Sequence, residues 1–170
     1  MKLKFALRFV AAFSLLLASW AVSEFGSAYR AAALAVTKVL SPLLTGWWMA
    51  PGEAEAHAVA TFEKEQLRIV LQIDPASLSM AQVPLLALIW ATPGLGFRGT
   101  LVRSIVGLAA FFLVHVSVLL VYPVLLANPN WFMDTIGVFT GLLSFVLAPQ
   151  LLWFVLTYTR LKELWQLGGR

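Results

Sequence analysis

Four stretches of this chain are long and apolar enough to cross a lipid bilayer, and that property restricts the folds open to it. The hydrocarbon layer is about 30 Å thick and takes roughly 20 helical residues to span. The stretches run from about 5 to 25, 80 to 97, 101 to 127 and 131 to 158. Lipid offers no hydrogen bonds to a backbone, so each stretch is read as an α-helix that satisfies its own peptide groups. Composition points the same way. Apolar residues make up 61% of the chain and charged residues 12%, against about 45–50% and about 25% in soluble domains. A chain of 170 residues has no core large enough to hide that excess, so the lipid bilayer is its first expected partner. The expected fold is mainly α: one polytopic membrane domain with four transmembrane helices and a small external insert.

Charge sets the orientation. With the N-terminus in the cytoplasm, Lys2, Lys4, Arg8, Arg98, Arg103, Arg160, Lys162 and Arg170 lie inside, eight of the 12 basic residues. Arg30, Lys38, Lys64 and Arg68 lie outside. The positive-inside rule favours this arrangement, with both termini cytoplasmic. The first stretch also has the basic start and apolar middle of a signal peptide, with a small-residue site at Ser19-Trp20-Ala21. Its apolar character continues through Phe25 without a polar cleavage region, so an uncleaved anchor is expected. The net charge of +4 is scattered at helix ends and does not suggest nucleic acid. The absence of Cys excludes thiolate catalysis, disulfides and thiolate metal sites.

The external insert covers about 26–79. Within it, Tyr29 to Met49 is apolar, but Arg30, Thr37, Lys38 and Ser41 fall on one helical stripe. Lys38 at the middle of a span would cost about 2.5–3.5 kcal/mol. A fifth span here would also place Arg98, Arg103, Arg160, Lys162 and Arg170 outside. The stretch is therefore read as an amphipathic helix lying on the membrane, broken at Pro42, with Trp47 and Trp48 at the interface. Further on, Leu67, Ile69, Leu71 and Ile73 alternate with polar or exposed positions, the mark of a half-buried strand. Val59–Glu63 is a weaker strand, and Glu63-Lys64-Glu65-Gln66 is a polar turn between them. A lone β-hairpin is marginal in water, so its apolar face is expected on the amphipathic helix, the membrane or a partner.

Few residues carry candidate chemistry. His115 lies 12 residues beyond Arg103, about 18 Å deep at the helical rise. Gln150 lies 10 residues before Arg160, about 15 Å deep. They are read as an intramembrane polar pair. Such residues are costly in lipid and often mark function, yet a packing hydrogen bond worth about 0.6 kcal/mol explains them more simply. A haem would want a second axial ligand, and the other histidine, His57, lies outside the membrane; no metal or cofactor is expected. Gly137, Gly141, Ser144 and Ala148 form a small-residue stripe that allows close helix approach, either within the chain or as a docking face for another helix. Pro149, just before Gln150, loosens the last helix. Glu53, Glu55, Glu63, Glu65 and Asp74 read as a solvated acidic surface. No nucleotide loop, zinc motif or nucleophile elbow is present.

Three segments carry a family resemblance. They are Leu67-Arg68-Ile69-Val70-Leu71-Gln72-Ile73-Asp74-Pro75, then Val83-Pro84-Leu85-Leu86-Ala87-Leu88, then Leu147-Ala148-Pro149-Gln150-Leu151-Leu152-Trp153. With the order of anchor, external strands and three close spans, the chain resembles the small membrane proteins associated with exosortases, especially the exosortase H type. It departs from them after the Asp-Pro step, where their aromatic stretch is replaced by Ala76-Ser77-Leu78-Ser79-Met80-Ala81-Gln82. The resemblance implies a bacterial inner-membrane protein. It also implies an accessory role beside a membrane transpeptidase that processes sorted surface proteins, without catalysis by this chain. Two readings from other classes stand beside it. One is a small membrane carrier or enzyme working around His115 and Gln150. The other is a supernumerary subunit of a different membrane complex.

Overall fold

The structure, a computed structural model, describes residues 2–54, 57–73 and 80–167. It is mainly helical, with one small antiparallel sheet. The helices are α1 (Lys2–Val22), α2 (Phe25–Leu44), α3 (Gln82–Ala91), α4 (Gly96–Ala127), α5 (Trp131–Leu142) and α6 (Ala148–Leu167). The strands β1 (Trp48–Ala54), β2 (His57–Lys64) and β3 (Leu67–Ile73) lie in sequence order in the sheet. Two helices are long and apolar enough to cross a membrane, at Leu3–Val22 and Gly96–Ala127. The stretch expected at 80–97 is shorter than a span. Its helix α3 has 10 residues, a length of about 15 Å, because Pro93-Gly94 turns the chain and Gly94 and Gly96 both take positive φ. A Cβ at Gly94 would also displace the Arg160 guanidinium of α6.

The stretch expected at 131–158 is helical throughout but not uniformly α. A π-helical turn, Leu143–Leu147, joins α5 to α6. Pro149 follows after Ala148 and has no N–H to give to the preceding turn, so the ladder widens where the proline removes a donor. Close packing of α3, α4 and α6 centres on Leu85, Ile89, Phe111 and Ala148. Gly107 of α4 lets these helices approach: a Cβ there would lie 3.2 Å from Leu156 and 3.4 Å from Ile89. Indole N–H groups link the same end, from Trp153 to Thr92 at 2.9 Å and from Trp90 to Ser104 at 3.2 Å.

The segment expected as an amphipathic helix on the membrane packs along α4. Near its start Tyr29 touches Phe112 of α4, and further on Ala33 and Leu34 share a core with Val116, Leu119 and Leu120 of α4. The expected polar stripe explains the difference. Thr37 and Ser41 are fully buried, Arg30 is half-buried and Lys38 alone is exposed. Thr37 donates its hydroxyl proton to the Ala33 carbonyl at 2.8 Å, and Ser41 donates to the Trp47 carbonyl at 2.8 Å. A small hydroxyl satisfied in this way hides in a packed face. With Gly26 and Ala33 these residues form a small-residue seam that brings α2 close to its neighbours. Trp47 is buried beneath the sheet and Trp48 is exposed, so the two do not share an interface as expected.

The sheet has one strand more than the expected hairpin. β2 pairs with β3 as anticipated, with Phe62 opposite Ile69 and Ala60 opposite Leu71, and the turn falls at Glu65-Gln66 with Glu65 at φ 54°. β1 pairs on the other side, with Met49 opposite Phe62. Pro51-Gly52 inside β1 reads as a turn in sequence; the proline is tolerated because β1 is an edge strand. Met49, Ala60 and Phe62 are buried, and Ile69 and Leu71 are packed against the same core with α2 and α4. Leu67, at the turn, is exposed rather than inward. Asp74, Pro75 and the 76–79 stretch lie outside the described residues, as does Glu55.

Burying an aliphatic side chain is worth about 1.5–3 kcal/mol, and Arg68 makes only an exposed ion pair with Glu63 at 3.6 Å. Ile69→Asp is therefore expected to reduce the accumulated protein far more than Arg68→Asp. Equal effects in a quantitative immunoblot would contradict the assigned sheet face.

Candidate functional site

Polar residues inside an apolar bundle stand out because burial without a partner is costly. In this chain they gather where α2, α3 and α4 meet. His115 of α4 is fully buried. Its Nδ1 shares a hydrogen bond of 3.0 Å with the Tyr29 hydroxyl of α2. The Tyr29 ring stands edge-on to His115, with centroids 5.8 Å apart, and edge-on to Phe112 at 5.5 Å. Phe111 closes another side of the imidazole at 4.4 Å. The aromatic cage fixes the ring, and the tyrosine gives it a partner of matching polarity.

Gln82 belongs to the same neighbourhood. It opens α3, is 1% exposed, and lies beside the Tyr29 hydroxyl. Neither its amide oxygen nor its amide nitrogen makes a hydrogen bond of normal geometry. The Gln82 side chain lines a cleft of about 360 Å³ between α1, α3 and α4. The cleft walls are apolar, with Leu16 and Trp20 from α1, Val83 and Leu86 from α3, and Leu108 from α4. The result is a lipophilic recess whose lining also includes Ser19 and Ser23, with the Gln82 amide atoms themselves shielded from it.

The expected pair of His115 and Gln150 is not assembled. Gln150 is exposed on α6, and the His115 imidazole is bonded to α2. Position along two helices does not say which helix stands between them. The small-residue stripe divides in a similar way. Ser144 and Ala148 are buried within the chain, and a Cβ at Gly141 would lie 3.2 Å from the Tyr122 hydroxyl. Only Gly137 among the four has open space where a Cβ would stand. Its carbonyl accepts a hydrogen bond from Tyr122 at 3.2 Å. Three of the four residues therefore serve packing inside the chain.

Tyr29 and Gln82 were not singled out by sequence reasoning. A signal did exist for Gln82: it is an amide heading a helix otherwise free of strongly polar side chains. Among the described residues, no group of three or more His, Asp or Glu converges on one point. No protein-family model, curated protein or solved structure matches the chain.

Proposed function

We propose that this chain is a four-span protein of the bacterial inner membrane, with both termini in the cytoplasm. In this reading it is a non-catalytic accessory subunit that holds another membrane protein through its external sheet. The four crossings are α1, the stretch holding α3, α4, and the run from α5 through the π turn to α6. Support for the orientation comes from where the charges gather. Arg103 donates from Nε to the Leu156 carbonyl at 2.9 Å, and Arg160 lies beside Gly94. Arg98 and Lys162 belong to the same end of the bundle, near the start of α4 and the end of α6. The sheet lies towards the opposite end of α4, so positive-inside places it outside the cytoplasm.

The observation that carries the docking role is the outer face of that sheet. Trp48 is 72% exposed and Val70 is 52% exposed. They lie on the same face of edge strands β1 and β3, two rungs apart, and the exposed Glu63–Arg68 ion pair shares that face on the rung of Trp48. The inner face is already covered by α2 and α4, so these side chains are not needed for the core. Exposed aromatic and branched residues on open strand edges suit a protein contact. The resemblance to exosortase-associated proteins supplies the candidate partner, an exosortase-like transpeptidase.

Orientation is checked by impermeant thiol labelling in this Cys-free chain. Lys64→Cys should react in intact cells and Arg170→Cys only after permeabilisation; the opposite pattern would overturn the topology. Docking is checked by co-expression with an exosortase-like protein and purification in mild detergent. Trp48→Glu with Val70→Glu should reduce recovery of the partner at least tenfold while leaving the chain in the membrane fraction. Undiminished recovery, or no partner recovered by the unaltered chain, would reject the accessory role.

A further inference from the structure

The two edges of the sheet are not alike. Lys64 pairs with Leu67 across the two-residue turn at Glu65-Gln66. The pair that closes such a turn exchanges both main-chain hydrogen bonds, and bonded and non-bonded pairs then alternate along the ladder. Leu67, Ile69 and Leu71 therefore give their N–H and C=O groups to β2. Arg68, Val70 and Gln72 turn theirs away from it, to the free edge of β3. Among the described residues, no backbone group outside the sheet pairs with that row. On β1 the same alternation points the nitrogen of Pro51 outward, because Ala60 opposite it already bonds to Leu71. A proline there has no N–H to offer, so it blunts that edge.

The edge of β3 carries no such protection. It has no proline or glycine, and its one charged side chain, Arg68, is drawn back to Glu63 of β2 at 3.6 Å. Leu67 and Val70 are both more than half exposed. An unblunted edge of this kind is a template for one more strand. Its row of alternating donors and acceptors is satisfied by an extended backbone, not by a helix or a lipid chain. The neighbouring helix supplies apolar surface at one end of the edge. Leu67 shares a recess of about 260 Å³ with Val124 and Ala127 of α4, with Lys64, Glu65 and Asn128 around it. Val124 is 40% exposed. A strand laid beside β3 therefore finds a place for one apolar side chain next to Leu67, with its alternate residues facing away.

We propose that the free edge of β3 binds an extended segment of a partner protein as a fourth strand. The main-chain groups of Arg68, Val70 and Gln72 hold it, and a branched apolar side chain of the segment enters the recess beside Leu67 and Val124. A second copy of this chain does not fit the same edge. Antiparallel pairing of two β3 strands has a twofold axis normal to the sheet, and the sheet lies along the flank of α4. That axis would point the α4 helices of the two copies in opposite directions, against the single orientation of the topology proposed above. The inference rests on that topology only for the choice of partner over copy. The edge itself is distinct from the outer face on which Trp48 lies.

Hydrogen exchange followed by NMR on the full chain in mild detergent reads the pairing residue by residue. The probe is the blocked peptide acetyl-Lys-Thr-Val-Thr-Val-Thr-Lys-amide, which favours an extended backbone and carries no aromatic residue. With peptide, exchange at the Arg68, Val70 and Gln72 amides should slow by about tenfold or more. Exchange at Leu67, Ile69 and Leu71, already bonded to β2, should change by less than about twofold. The same peptide N-methylated throughout keeps the side chains but not the donors, and should slow none of them. Arg68→Pro removes an edge N–H without touching a bond to β2, and should weaken peptide binding by about tenfold; Arg68→Ala, which keeps the N–H, should bind like the unaltered chain. If Arg68→Pro does not fold, the methylated peptide decides alone. Trp48→Glu should leave peptide binding intact, so loss of the outer-face contact and loss of this edge site are told apart. No slowing, equal slowing along all of β3, equal binding of the methylated peptide, or edge amides protected in a dimer without peptide would each overturn the proposal.

Discussion

The contact between α2 and α4 holds the two parts of this protein together. α4 is the long apolar helix, 32 residues or about 48 Å, which exceeds the thickness of a hydrocarbon layer. Its later turns need cover, and α2 and the sheet supply it through Ala33, Leu34, Met49 and Phe62. The sheet in turn needs α2 and α4, because three short strands with one apolar face do not hold an independent core. Each half thus buries what the other cannot. The Tyr29–His115 hydrogen bond lies near the start of this contact and fixes the register of α2 along α4.

Close approach is the device used throughout. α2 presents Gly26, Ala33, Thr37 and Ser41, and α4 presents Gly107 where α3 and α6 converge. Dispersion forces fall steeply with distance, and helix association in lipid relies on packing rather than on the hydrophobic effect. Small residues are therefore worth more here than their side chains suggest. The hydroxyls of Thr37 and Ser41 do not disturb the packing, because each is satisfied by a carbonyl nearby.

Several parts of this arrangement were legible in the sequence. The apolar run after Lys2 and Lys4, and the one at about 101 to 127, correspond to α1 and α4 because length and hydropathy are properties of a segment by itself. The alternation at Leu67, Ile69 and Leu71 located β3 for the same reason. β1 was hidden, since Pro51-Gly52 has the local signature of a turn and only pairing with β2 overrides it. The helical stretch of α2 is legible in the sequence, but its packing along α4 is not. Thr37 and Ser41 count as polar on any scale, and only the three-dimensional path shows that their hydroxyls turn inward. The partnership of Tyr29 with His115 was out of reach for a related reason. Periodicity gives the face on which a residue sits, whereas its neighbour depends on how the helices are ordered in space.

Tyr29 and His115 join α2 to α4, and a double-mutant cycle measures that contact. Tyr29→Phe, His115→Leu and the double variant would be compared by reversible unfolding in detergent, with Gln150→Leu in place of Tyr29→Phe as the control. Interhelical hydrogen bonds in membrane proteins couple by about 0.6 kcal/mol on average and up to about 1.7 kcal/mol. The structure predicts coupling in that range for Tyr29 with His115 and none for Gln150 with His115. Strictly additive effects at Tyr29 and His115, or coupling between His115 and Gln150 instead, would contradict it.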